Sequence, residues 1–172
     1  QLGVISKIIL MTLGNLFFYL GSFGLLDNGI KYGIYGGLYL IIALILTIGS
    51  RVMPTFIMNG VPYEVKIVNP KWIMILNLIL FVGFFCSELF DFKDVFTMLF
   101  SSGLFLISVY RLYLWHTPGI WRRPLLCSLY LAFVFICLGF LFFILSYFFG
   151  ISRFIAIHAF AVGGIGLATM GM

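Results

Sequence analysis

Charge is what this sequence has least of. It carries 5 Asp+Glu and 10 Lys+Arg in 172 residues, so only 9% is charged, against about 25% in an average soluble domain. So few charges cannot keep the remaining apolar surface in water. A soluble enzyme, a disordered tail and a nucleic-acid-binding domain are all excluded. Cysteine is scarce too. Cys86, Cys127 and Cys137 lie within or at the edges of apolar runs, without CxxC spacing. They support neither a zinc site nor a disulfide framework and read as packing residues. There is no GxSxG, no Walker A sequence, no HExxH and no GxGxxG after a strand, so no soluble-enzyme signature is present.

What the chain does have is apolar length. Hydrophobic residues make up 63% and aromatics 19%, with 21 Phe, and the mean hydropathy is +1.21. A hydrocarbon-spanning helix needs about 20 apolar residues. Six stretches qualify, at about 4–26, 30–48, 72–90, 95–115, 125–149 and 154–172. The fold class is therefore all-α, a polytopic transmembrane helical bundle of six spans forming one section over 1–172. Asp27-Asn28-Gly29, the run Asp91 to Asp94, and Gly150 to Arg153 read as short turns. Residues 49–71 and 116–124 read as longer connections, the first of a length that is often functional.

The basic residues set the orientation. Lys7, Arg51, Lys66, Lys71, Arg111, Arg122 and Arg123 fall on the side of the amino end and the longer loops. Lys31, Lys93 and Arg153 fall on the other side, offset by Asp27, Asp91 and Asp94. The bias places the first side in the cytoplasm. Trp72, Trp115 and Trp121 sit on that side, where an interfacial aromatic belt would put them. The first apolar run is too long for a signal-peptide core. Both ends of the sequence read as cut, as in a section of a longer protein. The partners are then the lipid bilayer and the remaining helices of that protein.

Ionisable groups inside spans are the default functional clue in a membrane protein. Glu88 lies near the end of the third span, as an interfacial carboxylate or part of a proton or ligand path. His158 lies five residues inside the last span, about 7–8 Å below its edge. An imidazole there must be hydrogen-bonded to a neighbouring helix or ligate a metal or haem. Ala156, Ala159, Gly163 and Gly166 form a small-residue face beside it, fit for a close helix or a flat cofactor. His116 ends the fourth span, in solvent or headgroups. The two His lie near opposite membrane faces and cannot both ligate one haem. Arg51 either snorkels to the interface or pairs with an acid such as a haem propionate. Gly21, Gly24, Gly33, Gly36 and Gly37 read as close-packing sites. Tyr32, Tyr35 and Tyr39 accompany them as core.

Three blocks resemble a known family. Gly49-Ser50-Arg51-Val52-Met53-Pro54-Thr55-Phe56, followed by Gly60, resembles the G-G-R-V-x-P-F-F-x-x-G signature of the NnrS family. Trp121-Arg122-Arg123-Pro124-Leu125-Leu126 resembles its W-R-x-P-L-L entry to a later span. Ile157-His158-Ala159-Phe160-Ala161-Val162-Gly163-Gly164-Ile165-Gly166 is similar to its L-H-A-x-x-V-G-x-I-G segment. The blocks occur in the family's order and together cover about 120 residues of the chain. Where family members carry the His of L-H-x-G-Y, Tyr130 stands here, a phenolate-capable oxygen in place of an imidazole. The family's G-H-T-G-R segment is expected after Met172.

The resemblance implies a bacterial inner-membrane protein of about twelve helices, each long enough to cross the hydrocarbon. It implies haem and copper as cofactors, and a role in nitric oxide metabolism or protection from nitrosative stress, with nitric oxide as a small-molecule ligand. It implies His158 as a haem or metal ligand and Arg51 as a cofactor-binding residue. Two other readings fit the residues: a cofactor-free transporter or permease half, and a structural subunit packing through its Gly and Ala faces.

Overall fold

The computed structural model describes residues 2–65, 67 and 70–171, with side chains described from Ile5 onward. Lys66, counted above in the charge bias, and Met172 lie outside the described residues. The chain folds into six helices: α1 (Leu2–Ser22), α2 (Gly29–Gly60), α3 (Lys71–Leu89), α4 (Asp94–Trp115), α5 (Pro124–Phe149) and α6 (Arg153–Met170). A short 3-10 turn, Pro118–Arg122, joins α4 to α5. All six are long and apolar enough to cross a membrane, and no strand occurs among the described residues. We call the end formed by residues 23–28, 90–93 and 150–152 the short-turn end. The opposite end, with residues 61–70 and 116–123, is the long-loop end.

The second helix differs from the reading that ends it at Ile48. It continues through Gly49 and Pro54 to Gly60, so the expected 49–71 loop shrinks to 61–70. Pro54 lacks a backbone N–H and ordinarily breaks a helix in water. Here it is buried inside the bundle, where neighbouring helices tolerate such a break. Thirty-two residues at 1.5 Å each give about 48 Å, well beyond a hydrocarbon core of about 30 Å. The Arg51 block is thus carried on a rigid helix. At its end Tyr63 ties the two longer loops together: its hydroxyl accepts from the Gly119 N–H at 2.9 Å and lies 3.1 Å from the Thr117 hydroxyl.

In lipid, association between helices rests on shape and dispersion more than on the hydrophobic effect. The centre shows how that is met. Tyr39 of α2, Phe84 of α3, Phe140 and Phe143 of α5 and Phe160 of α6 meet largely edge to face, with centroids 5.0–6.5 Å apart. Aromatic rings also press onto glycines: a Cβ on Gly139 would lie 2.3 Å from the Phe160 ring, and one on Gly163 would lie 2.2 Å from Phe135. The small-residue face of α6 is therefore filled by α5. Gly21 and Gly33 do bring α1 against α2, since a Cβ at either would strike backbone atoms within 3 Å. Gly24 instead takes a left-handed turn (φ 73°), and Gly37 faces open space.

Trp115 corrects the belt reading. It is fully buried, packed against Phe133 at 5.2 Å, while Trp72 and Trp121 are exposed as an interfacial residue would be. Cys137 is buried and Cys86 and Cys127 are half-buried, all three as free thiols.

Candidate functional site

α6 is not a uniform helix. Residues Arg153–His158 are α-helical, Ala159–Gly166 widen into a π stretch, and Leu167–Met170 return to α. Such wide turns are frequent at functional sites. His158 stands where the widening begins. It is exposed on the outer face of the bundle, off the stripe that packs on α5. Its Nδ1 lies 2.9 Å from the Phe154 carbonyl oxygen one turn back. A carbonyl only accepts, so the Nδ1–H donates, and Nε2 is the nitrogen turned away from that bond. The hydrogen bond is within α6, not to a neighbouring helix. Phe154, Ile155 and Val162 are exposed around it and leave an apolar surface beside the imidazole.

Arg51 is in a different layer. Phe160 packs on Tyr39, and Arg51 lies twelve residues further along α2, about 18 Å along the axis. His116 and Tyr130 are brought together instead: their rings lie 6.2 Å apart, with Trp121 at 6.0 Å from Tyr130. The Tyr130 hydroxyl donates to the Leu112 carbonyl at 3.1 Å. His116 is exposed, and Trp121 Nε1 approaches its Nε2 at 3.5 Å. This cluster lies at the long-loop end, ten residues of α5 (about 15 Å) from the Phe140 layer of α6.

Glu88 resolves into an ion-paired carboxylate. Arg153 Nη1 donates to its Oε1 at 3.2 Å, and Arg153 Nη2 donates to Asp94. Lys31 pairs with Asp91 nearby. The Glu88 side chain is only 12% exposed, and its second oxygen is buried without a hydrogen-bond partner. A cavity of about 220 Å³ lies beside this network, lined by Lys31, Tyr35, Glu88, Asp91, Arg153 and Ile157 among others.

The long-loop end holds a feature that the sequence reading missed. One cavity, of about 150 Å³, is lined by Lys7, Arg51 and Arg111 together with Ser50 and Asn77, and among the described residues by no carboxylate. Arg111 was counted only toward orientation, yet it is 4% exposed. The available signal was an arginine in the middle of an apolar run, with Ser101 and Ser108 on the same helical face. Thr97, Ser101, Leu104, Ser108, Arg111 and Trp115 are the buried face of α4, a nearly continuous polar row inside the bundle.

Among the described residues no three His, Cys, Asp or Glu side chains converge. Among the described residues no three-ligand set of these side chains is formed for copper, and no step is assigned to copper. A single haem-ligating imidazole does fit His158, with its Nδ1 anchored on the Phe154 carbonyl and an apolar surround.

No curated protein and no solved structure matches the chain significantly. The sequence profile of the NnrS protein family matches residues 1–172, the whole chain. With six membrane-length helices carrying the three motif blocks, this protein belongs to the NnrS family.

Proposed function

We propose that the chain is a haem-associated integral membrane protein acting in nitric oxide metabolism or in protection from nitrosative stress. We place it in the bacterial inner membrane with the long-loop end in the cytoplasm, where Arg51, Lys71, Arg111, Arg122 and Arg123 gather. The observation that carries the reading is the contact of the His158 Nδ1 with the Phe154 carbonyl oxygen. Its Nδ1–H is committed to the Phe154 carbonyl, the arrangement that orients an imidazole for ligation through Nε2. Bound haem would supply the iron at which nitric oxide coordinates. The chain's own part is to orient the imidazole through its Nδ1 and to offer an apolar wall of Phe154 and Val162. His116 lies in a different layer, beside Tyr130, and would not hold the same group.

The test is the optical spectrum of protein purified from haem-replete cells. We expect a Soret band that shifts with nitric oxide and is lost or displaced in His158→Ala. A band unchanged in that variant would remove His158 from the site, and no band at all would remove haem.

The buried polar row of α4 favours a second reading, a cofactor-free permease half. Substrate uptake into proteoliposomes by haem-free protein would support it, and Ser101→Leu should then abolish uptake.

A further inference from the structure

We propose that the cavity between α1, α2, α3 and α4 at the long-loop end binds an oxoanion, held by the Arg111 guanidinium and the Asn77 side-chain amide. This inference is independent of the haem reading.

Two buried donors point into the cavity with nothing to accept from them. Arg111 is 4% exposed and Asn77 6% exposed. Arg111 Nε and Asn77 Nδ2 are both buried and lack a hydrogen-bond partner, and both residues line the same space. An unsatisfied buried donor forfeits its full desolvation cost, and a guanidinium inside a span costs still more. Trp115 covers one face of Arg111, with the guanidinium carbon 5.5 Å from the ring centroid. That contact moderates the cost but accepts no hydrogen bond.

The missing partner must therefore be an acceptor carrying negative charge, and among the described residues no carboxylate is placed to serve. Asp27, Glu88, Asp91 and Asp94 lie at the short-turn end, with Glu88 and Asp94 on Arg153 and Asp91 on Lys31. Glu64 lies in the loop after α2 and does not line the cavity. The two buried donors are planar and forked, as carboxylate and phosphate recognition requires. Lys7 and Arg51 add positive charge to the wall. A volume of about 150 Å³ takes a small oxoanion, since one water needs only about 10–15 Å³ on this measure. The wall also includes Ile75 and Leu78, both exposed on the outer face of α3, so the site opens sideways toward lipid as well as along the helix ends. An anionic oxygen can thus arrive as a free ion or as the phosphate of a lipid headgroup.

Trp115 supplies the probe. The purified full chain in detergent is titrated with sodium phosphate and sodium nitrite, with chloride at matched ionic strength as control, reading tryptophan fluorescence and the unfolding temperature. In parallel, native mass spectrometry records retention of phosphatidylglycerol. A saturable response to phosphate or nitrite identifies a free ion; lipid retention without that response identifies a headgroup. In either case Arg111→Gln and Asn77→Ala should weaken binding about tenfold or more, while Arg153→Gln, at the opposite end, should leave it unchanged. Arg111→Lys keeps the charge, and it serves if Arg111→Gln does not fold. The proposal is overturned if wild type shows neither response, or if both persist undiminished in the Arg111 and Asn77 variants.

Discussion

The two ends of this bundle handle buried charge in opposite ways. At the short-turn end every cation of the cluster has an acid: Arg153 bridges Glu88 and Asp94, and Lys31 meets Asp91. At the long-loop end Arg111 is more deeply buried than any of these, yet its cavity wall holds further cations and no acid. In a low-dielectric setting the first arrangement is self-contained, because Coulomb attraction within the cluster offsets desolvation. The second is incomplete as it stands and calls for an acceptor from outside the described residues. A short-turn end closed within the protein suits a structural fastening. A long-loop end open to an outside charge suits a binding site.

The largest expected effect comes from opening the closed end. Arg153→Gln strips the half-buried Glu88 carboxylate of its cation and should cost about 2 kcal/mol, below the full penalty for a buried pair because Arg153 is partly exposed. Thermal unfolding in detergent reads this as a clear drop in midpoint. The same change at the other end should run the other way. With no anion added, Arg111→Met removes an uncompensated charge and should stabilise by about 1 kcal/mol. Added phosphate should erase that advantage by stabilising wild type alone. A fall in stability for Arg111→Met under anion-free conditions would break the comparison.

Smaller effects sharpen it. Tyr63→Phe removes the hydroxyl that accepts from Gly119 and meets Thr117, and should cost about 1 kcal/mol. Its loss should also speed hydrogen exchange at Gly119, showing that the long-loop end is held by loop contacts rather than ion pairs. Smallest of all, Asp91→Asn breaks an exposed pair. It should change stability by about 0.5 kcal/mol or less, and high salt should abolish the difference. Asn also tolerates the left-handed backbone that Asp91 adopts (φ 51°), so little turn strain is added.

The existence and number of the helices were legible because each apolar run is long and its turns are marked by Asp, Asn and Gly. The length of α2 was not. Gly49 and Pro54 are breakers in water, and only the surrounding bundle makes them tolerable. The pairing of Glu88 with Arg153 joins residues 65 apart, which no local pattern encodes. Arg111 was visible as a charge in an apolar run, but its significance depends on Asn77 across α3 and on Trp115 beneath it. His158 was singled out by depth and chemistry. What the sequence did not carry was its direction: the stripe of small residues faces α5, and the imidazole faces away from it.

That direction has a mechanical consequence. The π stretch Ala159–Gly166 holds more residues per turn than the α segments flanking it, so it acts as a phase shifter in the middle of one rod. Deleting one residue inside it would return the rod to 3.6 residues per turn, and the tighter winding would offset the lost residue, so His158 would nearly keep its angle relative to Leu167–Met170. The lower half would keep its seat, with the Ser128 hydroxyl still donating to the Leu167 carbonyl, and the imidazole would stay on the outer face.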